Sequence, residues 1–507
     1  MQYFRYLSTK FTIYNIMRGI YISLLLIASA LFATSCNDKT NTPLYGIDID
    51  DTTISCTFDR QTIKIGYKLN DGDTTSVTAS TDADWILDID TAEPGIVKVD
   101  VDVNDGDKRS TTLKLMAEGY SSTEVTISQI AAPSDTSHTL MFYFFGTSLS
   151  RYFKTNIEDA KLAISTGILG DSNRVIYLMQ DSKYSARICE ICYDPVNEEC
   201  IERELETIAI EGEHITTDAI GANIAKMAEL ATANRYGIVL ASHGQGWITR
   251  EILNGSGGIS ALSLMDIWQP AIGAEVTRAF GEHNVQVNTY ELAEGIAKSG
   301  VELEYILFDA CFMSNIETIY DMRSSANYII ASPCEIMGKG FPYHRTLPYL
   351  FAAGGATSDV KGAAESYYKF YRDEYNNSSR CGSVAVYKCD EIEALAEATK
   401  AVIKSATEEY DSSELQTYEG QKVHQFYDFG QWVNTVATDA VALEAFNTQL
   451  ENTIIAKYSL PTFYSAYGSY GNYDIDLDVY SGVTTSAPSE AYPDQWRETN
   501  WYKAVWK

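Results

Sequence analysis

From Tyr45 to Ala131 apolar and polar residues alternate in short runs. "GIVKVDVDVNDGDK" and "STTLKLMAEGYSSTEVTISQIA" are the clearest, with Gly119 as a break inside the second. A period of two, interrupted by Gly, Asn and Asp, predicts short strands with one buried face, stacked as a β-sandwich. The break at Asn104–Asp107 is expected to be a hairpin turn. A calcium loop starting at Asp100 fails there, because Asp105 and Thr111 stand where Gly and Glu are required.

After a linker, "APSDTSH" (132–138), the pattern changes. Apolar blocks of strand length now run without alternation: "TLMFYFFG" from Thr139, "RVIYLMQD" from Arg174, "YGIVLASHG" from Tyr236, "YILFDAC" from Tyr305, "NYIIASP" from Asn327 and "GSVAVYKC" from Gly382. Unbroken apolar strands suit a sheet covered on both faces. The segments between them supply the covering helices. "NTYELAEGIAKSG" carries a capping box in Asn288 and Glu291 and a stop at Gly300. The expectation is an α/β layered fold with a mostly parallel sheet, preceded by a small all-β sandwich.

The first residues add a destination. Arg5, Lys10 and Arg18 precede "GIYISLLLIASALFATSC", a basic, then apolar, then small-residue order that marks a secretory leader. Its end resembles a bacterial lipobox, with Cys36 as the residue to be lipidated. Residues 1–36 are therefore read as a lipoprotein signal peptide, 37–44 as a tether, 45–131 as the sandwich and 139–507 as the second domain. That places the chain outside the cytoplasm, anchored to a bacterial membrane on its periplasmic or surface face. The formal net charge of −31 argues against nucleic acid, which needs a basic face. Cys189 and Cys192 in "CEIC" have no second pair at ligand spacing, so no metal site is expected.

Two apolar blocks end in reactive groups. One ends at His243 and Gly244, the other at Cys311. In an open parallel sheet the carboxyl ends of the strands share one rim, where ligands bind. The imidazole and thiol would then meet, as nucleophilic catalysis needs. A capping box at "SNIE" (Ser314, Glu317) would put a helix start near the sulfur and favour the thiolate. The N–H groups of Gly244 and Cys311 could form an oxyanion hole. Asp309, two residues before Cys311, could hold a cationic substrate group or orient His243. Glu335 is a further acid on the same rim. His138 falls in the linker.

"SHGQGW", "FDACFMSNIE" and "IIASPCEIMGKGFPY" together resemble the clostripain-like branch of the clan of cysteine peptidases that includes caspases, legumains and gingipains. The resemblance implies a caspase-like layered fold and a Cys–His dyad of Cys311 and His243. It further implies that Asp309 sets a preference for Arg or Lys before the cut bond, and that the substrates are proteins or peptides with basic residues. The chemistry needs no cofactor, though the family's calcium dependence leaves calcium open. Two positions depart from the branch: Gln245 stands where Gly is common, and "FFGTSLSRY" lacks a paired Asn. Some relatives mature by a cut between the His and Cys motifs. Arg250, Arg278 and Lys298 are candidates, none of them marked by the sequence. The N-terminal segment is similar to BACON-type domains through Trp85, Asn104, Arg109 and Gln129, which implies glycan contact or a spacer. Trp85 favours the spacer, since an apolar Trp here belongs in a core. The rival function is a catalytically inactive surface lipoprotein that binds glycan or protein.

Overall fold

The computed structural model describes residues 45–507, apart from 50, 57, 59, 71, 73–75, 133–136, 171, 183, 195–196, 211–214, 254–273, 279–285, 352–356, 408, 422, 468–473 and 488–491. The leader and Cys36 lie outside the described residues. The described chain divides into two compact units, one up to Val103 with Ser110–Ser128, the other Asn104–Arg109 with Gln129–Lys507.

The first unit is a sandwich of two four-stranded sheets. One holds, in order, Ile47–Ile49, Gln61–Leu69, Ile96–Val101 and Ile86–Asp90; the other holds Thr53–Cys56, Thr123–Gln129, Arg109–Met116 and Thr78–Ser80. Alternation puts Val97, Val99 and Val101 in the shared core, and their outward neighbours toward water. The expected hairpin at Asn104–Asp107 is not one. Ile96–Val101 and Arg109–Met116 belong to different sheets, so this turn carries the chain from one sheet to the other. Alternation identifies strands but not their partners, which is why the sequence could not distinguish the two. The Asn104 amide pins the turn by donating to the Asp107 carbonyl at 2.9 Å. Trp85 lies in the core, so its indole is not offered as a platform for sugar.

The second unit is built on a nine-stranded sheet. Its order is Glu199–Ala209, Ser185–Asp194, Arg174–Ser182, His138–Phe144, Arg235–Ala241, Leu303–Asp309, Tyr328–Ala331, Val384–Lys388 and Ile454–Tyr458. The strands from Arg174–Ser182 through Tyr328–Ala331 pair in parallel. Both flanks are antiparallel, so the sheet is mixed, with a parallel centre. The Ser185–Asp194 strand follows its neighbour too closely for a crossover and must turn back on it.

Side-chain alternation along His138–Phe144 places helices on the two faces. Phe142 packs edge-on against Tyr343 and Phe144 stacks on Phe153, fixing Tyr343–Leu350 and Ser150–Ile164 on one face. Tyr143 points the other way and takes a hydrogen bond from Asn223 of Thr217–Leu230. Asn288 and Glu291 do cap Thr289–Ser299, and Gly300 ends it at φ 69°. His138 is not part of the linker. It opens its strand, opposite Arg235, and burial beside that arginine pushes its imidazole down to about 3. Cys189 and Cys192 lie in the Ser185–Asp194 strand as free thiols. Among the described residues no helix is long and apolar enough to cross a membrane.

Candidate active site

Parallel pairing with Ala241 opposite Asp309 brings two strand ends to one edge of the sheet. His243 and Gly244 leave one end, Ala310 and Cys311 the other. A Cβ on Gly244 would stand 2.1 Å from the Cys311 carbonyl oxygen and 2.7 Å from its nitrogen. Only glycine lets the two backbones approach so closely. Phe312, directly after the thiol, has φ 60°. That left-handed conformation costs an L-residue roughly 1–2 kcal/mol. It is held by a stack on Phe426 and a hydrogen bond to the Cys334 carbonyl. His243 is half-buried, its Nε2 lies 3.1 Å from Ser148 Oγ, and it borders a cavity walled by Phe145, Leu240, Phe308 and Met313.

The cleft beside Cys311 is filled by the chain itself. Val276–Arg278 runs antiparallel to residues 336–338, with Thr277 opposite Met337. Arg278 N–H donates to the Ile336 carbonyl at 2.8 Å, and Gly338 N–H donates to the Val276 carbonyl at 2.7 Å. The Arg278 carbonyl accepts from Gly244 N–H at 2.8 Å and from Cys311 N–H at 3.4 Å. These are the two donors named from the sequence for an oxyanion.

The Arg278 side chain is fully buried in a socket that engages both edges of its fork. Nη1 lies 3.0 Å from Asp309 Oδ2, Nη2 donates to Asn156 Oδ1 at 2.7 Å, and Nε donates to the Gly338 carbonyl at 3.2 Å. Tyr343 Oη, at 2.6 Å, and Phe341 N–H hold the same Asp309 oxygen from behind. Burial pushes the Asp309 carboxyl up and Arg278 opposes it. The Asp309 hydrogen bonds thus run to the socket, and orienting His243 is not among them.

Burial also sets the state of the thiol. Cys311 is sealed under Arg278, and its Sγ accepts from Ile336 N–H at 3.0 Å. Burial, and then the nearby Glu335, push the thiol well above its usual range, so it is protonated here. The expected capping box does not form. The following helix, Ile316–Asp321, starts at Asn315, and its cap makes no side-chain hydrogen bond. Glu317 turns inward to Thr485, Ser486 and Trp496, while Ser314 bonds Tyr387 and the Gly482 carbonyl. The C-terminal segment recruits both capping residues, and no local pattern signals that.

Glu335 is fully buried. Its Oε1 accepts from Thr277 Oγ1 at 2.9 Å and from Ala466 N–H at 3.0 Å. Burial raises its carboxyl to about 7. The sign follows directly: below the ordinary value of 4.5 both folded and unfolded chains hold the proton. Between 4.5 and about 7 only the folded chain keeps it, so stability falls as pH rises, on the order of 3 kcal/mol in all. Glu335→Gln should flatten that part of the stability profile; identical profiles for both chains in denaturant titrations at pH 4.5 and 7 would contradict it.

Asn156, Tyr343, Gly338 and Tyr464 serve this site without having been singled out. Tyr343 lies within the quoted "GFPY" block; Asn156 sits inside a helix with nothing around it to read. Tyr464 Oη accepts from Glu275 N–H at 2.7 Å, extending the paired strand by one residue.

A model of the Clostripain family matches residues 266–481, and the model of BACON, an N-terminal binding domain, matches residues 74–129. The chain belongs to the clostripain family of cysteine peptidases. Among solved structures, a secreted C11 cysteine protease from Bacteroides thetaiotaomicron, "iotapain", is 29% identical, over 74% of this chain and 100% of its own (TM-score 0.63). An inactive zymogen C11 protease from Parabacteroides distasonis is 27% identical over the same shares, 74% and 100% (TM-score 0.60). A clostripain from Bacteroides thetaiotaomicron is 33% identical, over 45% of this chain and 98% of its own (TM-score 0.40). No curated protein matches. This clostripain-family peptidase has no room for a side chain at Gly244. Gly244→Ala should therefore displace one N–H donor and lower kcat by about 10²–10³-fold, the usual cost of losing such a donor; kcat within a few-fold of wild type would show that this N–H does not face the reacting carbonyl.

Proposed function

We propose that this peptidase is an exported endopeptidase, lipid-anchored at Cys36, that cuts after basic residues and is Arg-directed above all. In this reading Cys311 is the nucleophile and His243 its acid–base partner, and the first bond cut is its own Arg278–Ala279. The observation that carries it is the Arg278 carbonyl lying between the N–H groups of Gly244 and Cys311 while its guanidinium meets Asp309. The strand before the bond is held by main-chain pairing, as an extended peptide substrate would be. Donors along both edges of the guanidinium find acceptors, which suits Arg better than the point charge of Lys.

Chemically, Sγ attacks the Arg278 carbonyl carbon as the thiol proton passes to His243. The negative oxygen that forms keeps the two N–H donors already facing it. His243 returns the proton to the departing amine, and the C–N bond breaks. Water, deprotonated by His243, then releases the acyl group and restores the thiol. The sandwich domain serves as a spacer between anchor and peptidase.

The test is the fate of purified leaderless protein. Incubation should yield two fragments, one ending at Arg278 and one starting at Ala279, by intact mass and N-terminal sequencing. An uncut chain, or a cut elsewhere, would refute the self-substrate reading.

A further inference from the structure

Of the four residues 275–278 paired in the cleft, only Thr277 and Arg278 are buried; Val276 is 49% exposed and Glu275 is exposed too. The cleft therefore reads two side chains. The second has a partner of its own, because the Thr277 hydroxyl donates to Glu335 Oε1 at 2.9 Å. Glu335 has little freedom to follow a different residue. It is fully buried, Ala466 N–H holds the same oxygen, and the next residue, Ile336, supplies the carbonyl that takes Arg278 N–H.

We infer that Glu335 selects a hydroxyl-bearing residue, threonine first, immediately before the basic residue of a substrate. The inference rests on the peptidase reading above and deepens its substrate class from "after Arg" to "after Thr-Arg". Valine has the shape of threonine without the donor. It would fit the space and leave the carboxyl short of a partner in a place water does not reach. Sites built to bond a hydroxyl discriminate strongly against isosteres that lack it. Serine would keep the bond and lose only the methyl contact.

The experiment uses the matured, Arg278-cut enzyme and three fluorogenic peptide amides, Val-Thr-Arg, Val-Ser-Arg and Val-Val-Arg. The expected kcat/KM for the Val-Val-Arg peptide is roughly tenfold or more below that for Val-Thr-Arg, with Val-Ser-Arg between them. Glu335→Leu should bring the Thr-to-Val ratio to about one, whereas Glu335→Gln, whose amide oxygen still accepts, should keep most of it. Equal wild-type turnover of the Thr and Val peptides overturns the inference and leaves the peptidase reading intact. No turnover of any Arg peptide overturns both. A ratio unchanged in Glu335→Leu moves the selection away from this carboxyl. Should Glu335→Leu fail to fold, the wild-type Thr and Val comparison decides alone.

Discussion

Cys311→Ala should give a chain that stays in one piece and hydrolyses no peptide, while folding as wild type does. The thiol's hydrogen bonds run to the backbone of Ile336 alone among the described residues, and alanine fits within the space the cysteine occupies. Loss of a nucleophile removes the whole covalent route, on the order of 10⁶-fold in kcat. Two measurements check this: intact mass after long incubation, and release of a fluorophore from Arg amides. Persistent cutting after Arg278 by a highly purified Cys311→Ala chain would mean that another group, or another molecule, breaks that bond.

Asp309→Ala should cost about 10²–10³-fold in kcat/KM on Arg peptides. The Arg278–Asp309 pair has no solvent exposure on either side. Removing one partner of such a pair typically costs 3–5 kcal/mol, because the other charge stays buried without its counterion. In the variant the guanidinium would keep Asn156 and carbonyl acceptors but no negative charge. Slow self-cutting should accompany the loss, since Arg278 uses the same socket. Peptides with an uncharged residue before the cut should lose far less. Steady-state kinetics on matched Arg and Gln amides would expose an error here, through an equal drop on both.

Some of this site could be read in the chain because strand ends are local. An apolar block that stops at "SHG" or "DAC" states where the backbone leaves the sheet, and parallel pairing does the rest. The sheet's flanks were harder, since an apolar strand looks the same whichever way its neighbour runs. Which basic residue enters the cleft was not readable at all. Arg250 pairs with Glu251 and Glu291, and Lys298 with Asp218 and Glu294, all at partly exposed positions. Arg278 differs in being fully buried, with partners at Asn156, Asp309 and residues 336–338 that all lie far along the chain. Glu317 shows the opposite failure: a good local capping pattern gave way to Trp496, Thr485 and Ser486, brought in from the last segment.

The strand that seals the thiol is covalently part of the molecule it seals. A tethered segment faces its cleft at an effective concentration of about millimolar, however dilute the solution. Reversible peptide competitors should therefore bind the uncut form poorly and the cut form well. On the self-cutting reading proposed above, the cut after Arg278 is unimolecular, and its half-time should not depend on protein concentration.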